Sequence, residues 1–587
     1  MENSKKDCME LAALIGVNGT SKQCMALHPD NKRLIFALGY SIAVRDLTTS
    51  SETFLCGHDN YVTCISISKD GKLLASGQRT HNSFLADIVI WDLENALELG
   101  RLSFHKGSVE CLDFSCDNEF LVSLGGDSCN TLVLWSIKER KLLCGTTAAL
   151  ETAKCLAFYN NSSYMFLSAG ISHIRIWEIN ATTKKMTPRG CNLGKLRRTC
   201  NSVVIHPADT VAYCGTQSGD ILEISLQTGL MKRHGPPKQR LEGGVTSMAL
   251  LNNHLFVGTG DGQLHRLGLE TLAPIASCQV PGAFTSIIST PKSSSIWGVT
   301  AENSLYRIDA QTITPRLEHC AQTGNINQVV FPEGCSHILA TCSASDIRIW
   351  NVKNCKELLR IRLPSAECLC IAFAPDGSAV ISGWKDGRIR AFAPETGKLL
   401  FCIDQAHKGG VTGIAATSVG RRLASGGLSG QFRALTAAED GTIIVWDMTT
   451  YTSILSINES TLFRNATFSA DEIHILATGS DRKVHYFDSL DGTKIRDIDA
   501  AEQGDIHCIA YHPSAPLFCT GGDDQSLRLW RYESGECAML SPWHADNVRC
   551  ACFSPDGTVL VSGGNCGVIH FWRVPDHLIK GDSAVPS

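Results

Sequence analysis

Apolar and polar residues alternate with period two along most of this 587-residue chain, in short runs separated by turns rich in Gly, Asp and Ser. Runs of that kind predict half-buried β-strands. One succession reads "VTCISIS" (62–68), a "KDGK" turn, "LLASG" (73–77), and then "IVIWD" (88–92), which ends in Trp-Asp. The last type of run recurs as "IAVRD" (42–46), "LVLWS" (132–136), "IRIWE" (174–178), "ILEIS" (221–225), "LHRLG" (264–268), "LYRID" (305–309), "IRIWN" (347–351), "IRAFA" (389–393), "IIVWD" (443–447), "VHYFD" (484–488), "LRLWR" (527–531) and "IHFWR" (569–573). Taking the fourth residue of each run as a ruler, Trp91 to Trp135 is 44 residues, Trp135 to Trp177 is 42, Trp350 to Phe392 is 42 and Trp530 to Trp572 is 42. That spacing is the period of a four-stranded propeller blade of the WD-repeat type.

A single propeller closes with about four to eight blades, so thirteen such runs predict two rings. The expected fold is all-β, a tandem double WD-repeat β-propeller. The first ring, seven-bladed, covers 18–320, and the second covers 321–574. Residues 575–587 form a polar tail too interrupted to supply a strand. The closing outer strand is then expected from residues 1–17, where "ELAALIGV" (10–17) is the available run. It completes either the last blade, which ties both rings to the chain's ends, or the seventh.

One interval breaks the rule: Phe392 to Trp446 is 54 residues. Either one blade carries a long hairpin insertion, or two blades lost about thirty residues and fused. "GQFRAL" (430–435) reads as the remnant of another third strand and favours fusion. The second ring is then six-bladed, with 411–416 and 422–426 pairing with 443–447. The fused blade keeps His407, Ser425, Asp440 and Trp446, the four side-chain types that form a hydrogen-bond relay across a WD blade. His58, His407 and His544 each mark the start of a unit.

Composition changes this picture little. Hydrophobic residues are 43% of the chain and mean hydropathy is near zero, as in a soluble globular protein. The net charge of -5 lacks the basic footprint that nucleic-acid binding needs. The N-terminus has no secretory pattern, and no apolar run reaches the ~18 residues of a membrane span, so an intracellular, soluble protein is expected. The 26 cysteines are spread through apolar strands (Cys64, Cys111, Cys342, Cys519, Cys552) and read as reduced small hydrophobes.

Candidate chemistry is sparse. Asp386, Asp440, Asp481 and Asp524 each precede their aromatic residue by six, which suits turn caps repeated once per blade better than carboxylates converging on a metal. "GTGDGQ" (258–263) lies between two strands, so it reads as a hairpin turn and not as a phosphate loop. Cys368 with Cys370, and Cys550 with Cys552, share a strand face without a second ligand pair for zinc. There is no G-x-S-x-G, H-E-x-x-H or Walker pattern, and no enzyme activity, cofactor or metal is expected. The one cationic feature joins "GKLRR" (194–198) to "MKRHGPPKQR" (231–240). Its Lys195, Arg197, Arg198, Lys232, Arg233, Lys238 and Arg240 are either solvated loop residues or a contact patch for an acidic partner.

"GWKDGRIRAFAPETGKL" (383–399), "AHKGGVTGIA" (406–415), "CSASDIRIW" (342–350), "TGSDRKVHYFD" (478–488) and "ALIGVNG" (13–19) resemble the family of cilia- and flagella-associated protein fifty-two, over about residues 10 to 573. The family pattern has a complete extra blade where this chain has 428–441. The resemblance implies a non-catalytic structural protein of motile cilia and flagella. It would be a microtubule inner protein of the axonemal doublet in the cytoskeleton, contacting tubulin and inner-junction proteins such as the parkin co-regulated protein and enkurin. It implies no nucleic-acid or membrane partner. The rival expectation is a soluble cytoplasmic adaptor, for example a ubiquitin-ligase receptor or trafficking scaffold, that binds a short peptide on one propeller face.

Overall fold

The computed structural model describes all residues except 1–8, 18, 50, 82–83, 181, 238–239, 290–293, 323, 364–365, 375, 405–432, 438–441, 448–451, 470–472, 542–543, 545, 566 and 581–587. The chain divides into two compact units, one of Val17–Cys320 and one of Met1–Gly16 with Ala321–Ser587.

In Val17–Cys320, the described residues form seven four-stranded sheets. Each is an antiparallel meander with its strands in chain order. The second, for example, runs Val62–Ile67, Leu73–Gln78, Leu85–Asp92 and Leu97–Lys106. Each inner strand lies beside the inner strand of the next sheet, and Met25–Leu27 of the first meets Phe284–Ile288 of the last, which closes the ring.

Burial follows strand position. Second strands such as Phe120–Gly125 and Val211–Thr216 are buried at every residue, while an outer strand such as Pro274–Gln279 alternates exposed with half-buried. The core therefore sits between sheets. Ala75, Ile88 and Ile90 of the second sheet pack with Leu112, Phe114, Leu121 and Trp135 of the third. Each fully buried side chain of this kind contributes about 1.5–3 kcal/mol.

The inner strands are sheet edges, and side chains from other sheets occupy some of their unpaired backbone groups. The Gln23 amide bonds both the N–H and the carbonyl of Leu112, the Asp113 carboxylate accepts from the Phe158 N–H, and the Ser247 hydroxyl accepts from the Ile287 N–H. The Cys64 thiol donates to the Val109 carbonyl at 3.3 Å. The described cysteines are free thiols. Burial pushes Cys24 and Cys155 up to about 12, which leaves them protonated and unreactive.

In the other unit, the described residues form five four-stranded sheets and one three-stranded sheet. Glu10–Ile15 is the outer strand of the last sheet, antiparallel to Ile569–Arg573, with Leu11 opposite Trp572 and Ile15 opposite Ile569. Of the two positions open to the N-terminal run, it thus takes the last blade. Ile326–Val330 lies beside Val548–Phe553, which brings the first sheet of this unit against the last. The C-terminal segment is not simply a polar tail. Asp576–Lys580 is a short helix whose Leu578 is buried with Met9, Trp572 and Val574, because two apolar residues among polar ones suffice for one packed turn.

One expected pairing is corrected. Thr442–Asp447 pairs with Arg433–Ala437 on one side and Thr452–Asn458 on the other, and not with 422–426. The last three residues of "GQFRAL" (433–435) thus belong to the first of this sheet's three described strands, which pairs directly with Thr442–Asp447, instead of being a relic third strand. The connection from 437 to 442 is four residues, and a short hairpin loop costs less closure entropy than pairing with a strand further back. The run 411–416, the run 422–426 and the blade count that depends on them fall outside the described residues.

Candidate functional site

Three sheets carry a relay of second-strand Ser and third-strand Trp with a His from the chain that leads into the sheet: His58 and His544 precede the inner strands Val62–Ile67 and Val548–Phe553, and His105 lies in the preceding sheet's outer strand Leu97–Lys106. In the first, Trp91 Nε1–H donates to Ser76 Oγ at 2.7 Å, Ser76 Oγ lies 2.6 Å from His58 Nε2, and His58 Nδ1 lies 2.8 Å from Gln78 Oε1. The amide oxygen can only accept, so Nδ1 carries the proton and the Ser hydroxyl donates to Nε2. The second relay is Trp135–Ser123–His105, at 2.8 and 2.7 Å. The third is Trp572–Ser562–His544, at 2.7 Å for both bonds. In all three the His precedes the Ser by 18 residues, the spacing also of His407 and Ser425.

That shared interval is the signal by which the relays could have been found from sequence. The nominated relay itself cannot be placed: His407, Ser425 and Asp440 lie outside the described residues, as does the side chain of Trp446. In the two relays where His Nδ1 has a neighbour, that neighbour is not Asp. Gln78 takes that role for His58, and the Cys129 thiol lies 3.7 Å from His105 Nδ1.

Burial drives the relay histidines toward neutrality. It lowers His58 and His105 to about 4 and, with the neighbouring His570, holds His544 well below the usual range. These Ser–His pairs lie among buried side chains with each Ser bonded to a Trp. They hold sheets together and offer no accessible nucleophile.

The described members of the repeated set, Asp386, Asp481 and Asp524, lie at turns and each also contacts a basic side chain. Asp386 accepts from the Arg388 N–H and pairs with Arg390 at 2.6 Å, Asp481 pairs with His485 at 2.8 Å, and Asp524 accepts from the Ser526 N–H and pairs with Arg528. In each pair the partner is four residues on, at the start of the third strand, where it straps that strand to its own turn. Among the described residues no group of three His, Cys, Asp or Glu is placed to hold a metal ion. "GTGDGQ" is the turn between His254–Thr259 and Gln263–Gly268.

The cationic residues separate into two kinds. Arg198 Nε lies 2.8 Å from Asp220, which is 4% exposed. Burial pushes the Asp220 carboxyl up, but hydrogen bonds from Ser218, Thr216 and Arg198 outweigh it and carry it down to about 2. Arg233 pairs with Glu223 and donates to the carbonyls of Leu269 and Glu270 on the next sheet. These two arginines are staples of the fold. Lys195, Arg197, Lys232 and Arg240 are exposed, and Lys238 lies outside the described residues. The loops of Lys195, Arg197 and Arg240 adjoin around one turn, since Gln217 N–H donates to Thr199 and Leu241 N–H to Gly219. Lys232 stands apart on the outer strand Met231–Gly235.

Clefts in Val17–Cys320 include the following three. One of about 330 Å³ is lined by inner strands of all seven sheets, with Lys22, Lys69, Lys154 and Asp113. One of about 550 Å³ holds Tyr159, Glu178, Arg189 and Asp209. One of about 440 Å³ holds His173, Arg175, Asn192 and Arg197.

Closed sets of four-stranded meanders with Trp–Ser–His relays define a WD-repeat β-propeller protein. A repeat family described as "WD domain, G-beta repeat" matches residues 49–92, 97–136, 397–447, 492–531 and 535–573. Cilia- and flagella-associated protein 52 of Chlamydomonas reinhardtii is 36% identical over 604 residues, covering 96% of this chain and 97% of the relative, and that of Homo sapiens is 35% identical, covering 97% of both. WD repeat-containing protein 90 of Mus musculus is 25% identical, over 72% of this chain and 24% of its own length. The chain belongs to the cilia- and flagella-associated protein 52 family.

Proposed function

We propose that this protein is a non-catalytic structural scaffold of motile cilia and flagella, a microtubule inner protein that binds tubulin and other lumenal proteins of the axonemal doublet and supports motility. The observation that carries the reading is end-to-end similarity to proteins named for cilia and flagella in an alga and in mammals. The architecture is suited to the role. Its rigidity comes from apolar burial between sheets, its relay hydroxyls are internal, and its outer strands and loops offer broad surfaces for several partners at once.

A soluble adaptor that reads a peptide at one channel mouth calls for a ring of arginines there. The cleft lined by all seven inner strands carries instead Lys22, Lys69 and Lys154 with Asp113 among Ser and apolar residues. The test is to isolate motile cilia or flagella, remove membrane and matrix, and follow the protein by mass spectrometry through rising salt and detergent. Retention on doublets until the tubulin lattice dissolves is the expected result, and release with the matrix overturns it.

A further inference from the structure

The 440 Å³ cleft lies between the start of the third strand of the fourth sheet, Ile174–Ile179, and the loop that leads from Met186–Gly190 toward the fifth sheet. None of its lining residues is Asp or Glu, whereas Arg175, Arg197 and His173 all belong to it. Arg175 is held in place by one donor, Nη1 to the Ala148 carbonyl at 2.9 Å. Arg197 is exposed, and the loops that carry it, Lys195 and Arg240 adjoin.

His173 adds a second requirement. Its Nδ1 lies 2.9 Å from the Ile171 carbonyl, which can only accept, so Nδ1 bears the proton. In the neutral ring Nε2 is then a bare lone pair, and it is buried without a partner. A ligand that fits must bring an anionic group for the guanidiniums and an N–H for the imidazole. Sulfate or a phosphate monoester dianion brings acceptors only. A phosphate site of the helix-N-terminus kind is also absent, since no helix occurs among the described residues of this unit. A peptide with acidic side chains carries both groups, and the planar guanidinium fork matches a carboxylate in two-point geometry.

We propose that this cleft binds an acidic segment of a protein partner, with a carboxylate on Arg175 and Arg197, a backbone N–H on His173 Nε2, and flanking carboxylates on Lys195 and Arg240. The chain's overall charge of -5 makes this face a local exception and not part of a general polyanion-binding surface. The inference rests on the reading of the chain as a binding scaffold but not on its place in the cell, so doublet fractionation and peptide titration can fail separately.

The experiment titrates the full chain into fluorescein-labelled hexaglutamate and reads anisotropy at ~50 and ~150 mM salt. Saturable binding is expected. Arg197→Glu should weaken it roughly tenfold or more, while Lys141→Glu, the same change of net charge on the outer strand of the third sheet, should change it by less than about twofold. His173→Phe, which keeps a flat ring but removes the acceptor, should weaken it several-fold. Hexaglutamine should not bind, and sulfate at matched ionic strength should compete no better than chloride. Equal losses in Arg197→Glu and Lys141→Glu would reduce the effect to net charge and overturn the site. Displacement by sulfate would make it an oxyanion pocket, and unchanged affinity in His173→Phe would remove the peptide-specific contact. Either result overturns the assignment.

Discussion

His512 Nε2 donates to the carbonyl oxygen of Gly557, on the neighbouring sheet, at 3.0 Å. The His512 Nδ1 accepts from the N–H groups of Ser514 and Ala515, which sets the tautomer. Gly557 sits at φ +72°, and a Cβ there would come within 2.4 Å of the ring. The other unit repeats the clasp, with His28 Nε2 2.9 Å from the Gly71 carbonyl and Gly71 at φ +78°. Gly557→Ala should therefore destabilise its own unit by about 2–3 kcal/mol, from the left-handed backbone and the displaced imidazole. Hydrogen exchange should speed up in 506–511 and 548–553 and stay unchanged in 62–67. Unchanged exchange near Gly557 would show that the turn tolerates a side chain.

Ser76 bonds two buried side chains, Trp91 and His58, besides a longer contact to the Val89 carbonyl, whereas among the described residues Ser168 bonds one side chain, Trp177, at 2.8 Å. Ser76→Ala strands both the Trp91 N–H and the His58 lone pair, at a cost of about 2–4 kcal/mol. Ser168→Ala strands one group and should cost about 1–2 kcal/mol. Thermal unfolding of the two variants side by side checks the order, and equal losses would mean that the His58 bond adds nothing.

Acid should loosen the same sheets. His58 and His105 have folded values near 4, and burial lowers His570 to about 3. Unfolded histidine titrates near ~6.5. As pH falls below that value the unfolded chain takes up protons that the fold refuses, so the stability present at neutral pH is lost on acidification. Each residue with a folded value near 4 forfeits on the order of 3 kcal/mol by pH ~4. The midpoint of thermal unfolding should fall steeply between pH ~6.5 and ~5. His58→Gln should be less stable at neutral pH but show a shallower slope, by about one proton. A flat profile would mean that these rings are protonated in the fold.

Removal of residues 1–16 takes away Glu10–Ile15, its pairing with Ile569–Arg573, and the buried Met9, Leu14 and Ile15. The last sheet should lose roughly 4 kcal/mol or more and gain an exposed edge prone to association. Light scattering and hydrogen exchange over 559–564 and 569–573 report this, with 62–67 as the internal control. Full protection in the truncated chain would show that the strand is dispensable.

Much of the architecture was legible in the chain. The period-two runs and the spacing of Trp91, Trp135 and Trp177 announce four-stranded sheets, since a strand's faces are written residue by residue into its own sequence. Turn aspartates such as Asp386 were legible for the same reason, because a cap bonds to backbone two residues away. The pairing of Thr442–Asp447 was misread because several short apolar runs compete locally for one partner, and composition does not rank them.

The class of fold, the repeat and the family were all readable from local alternation and from motifs that recur along the chain. Folding alone shows that Glu10–Ile15 joins the last sheet, that Arg198 and Arg233 are staples while Arg197 is exposed, and that His173 and Arg175 line the same cleft as Arg197. The physical reason is range. A side chain's role as staple or contact depends on which distant carboxylate or carbonyl the fold brings within about 3 Å of it, and no local pattern encodes that distance.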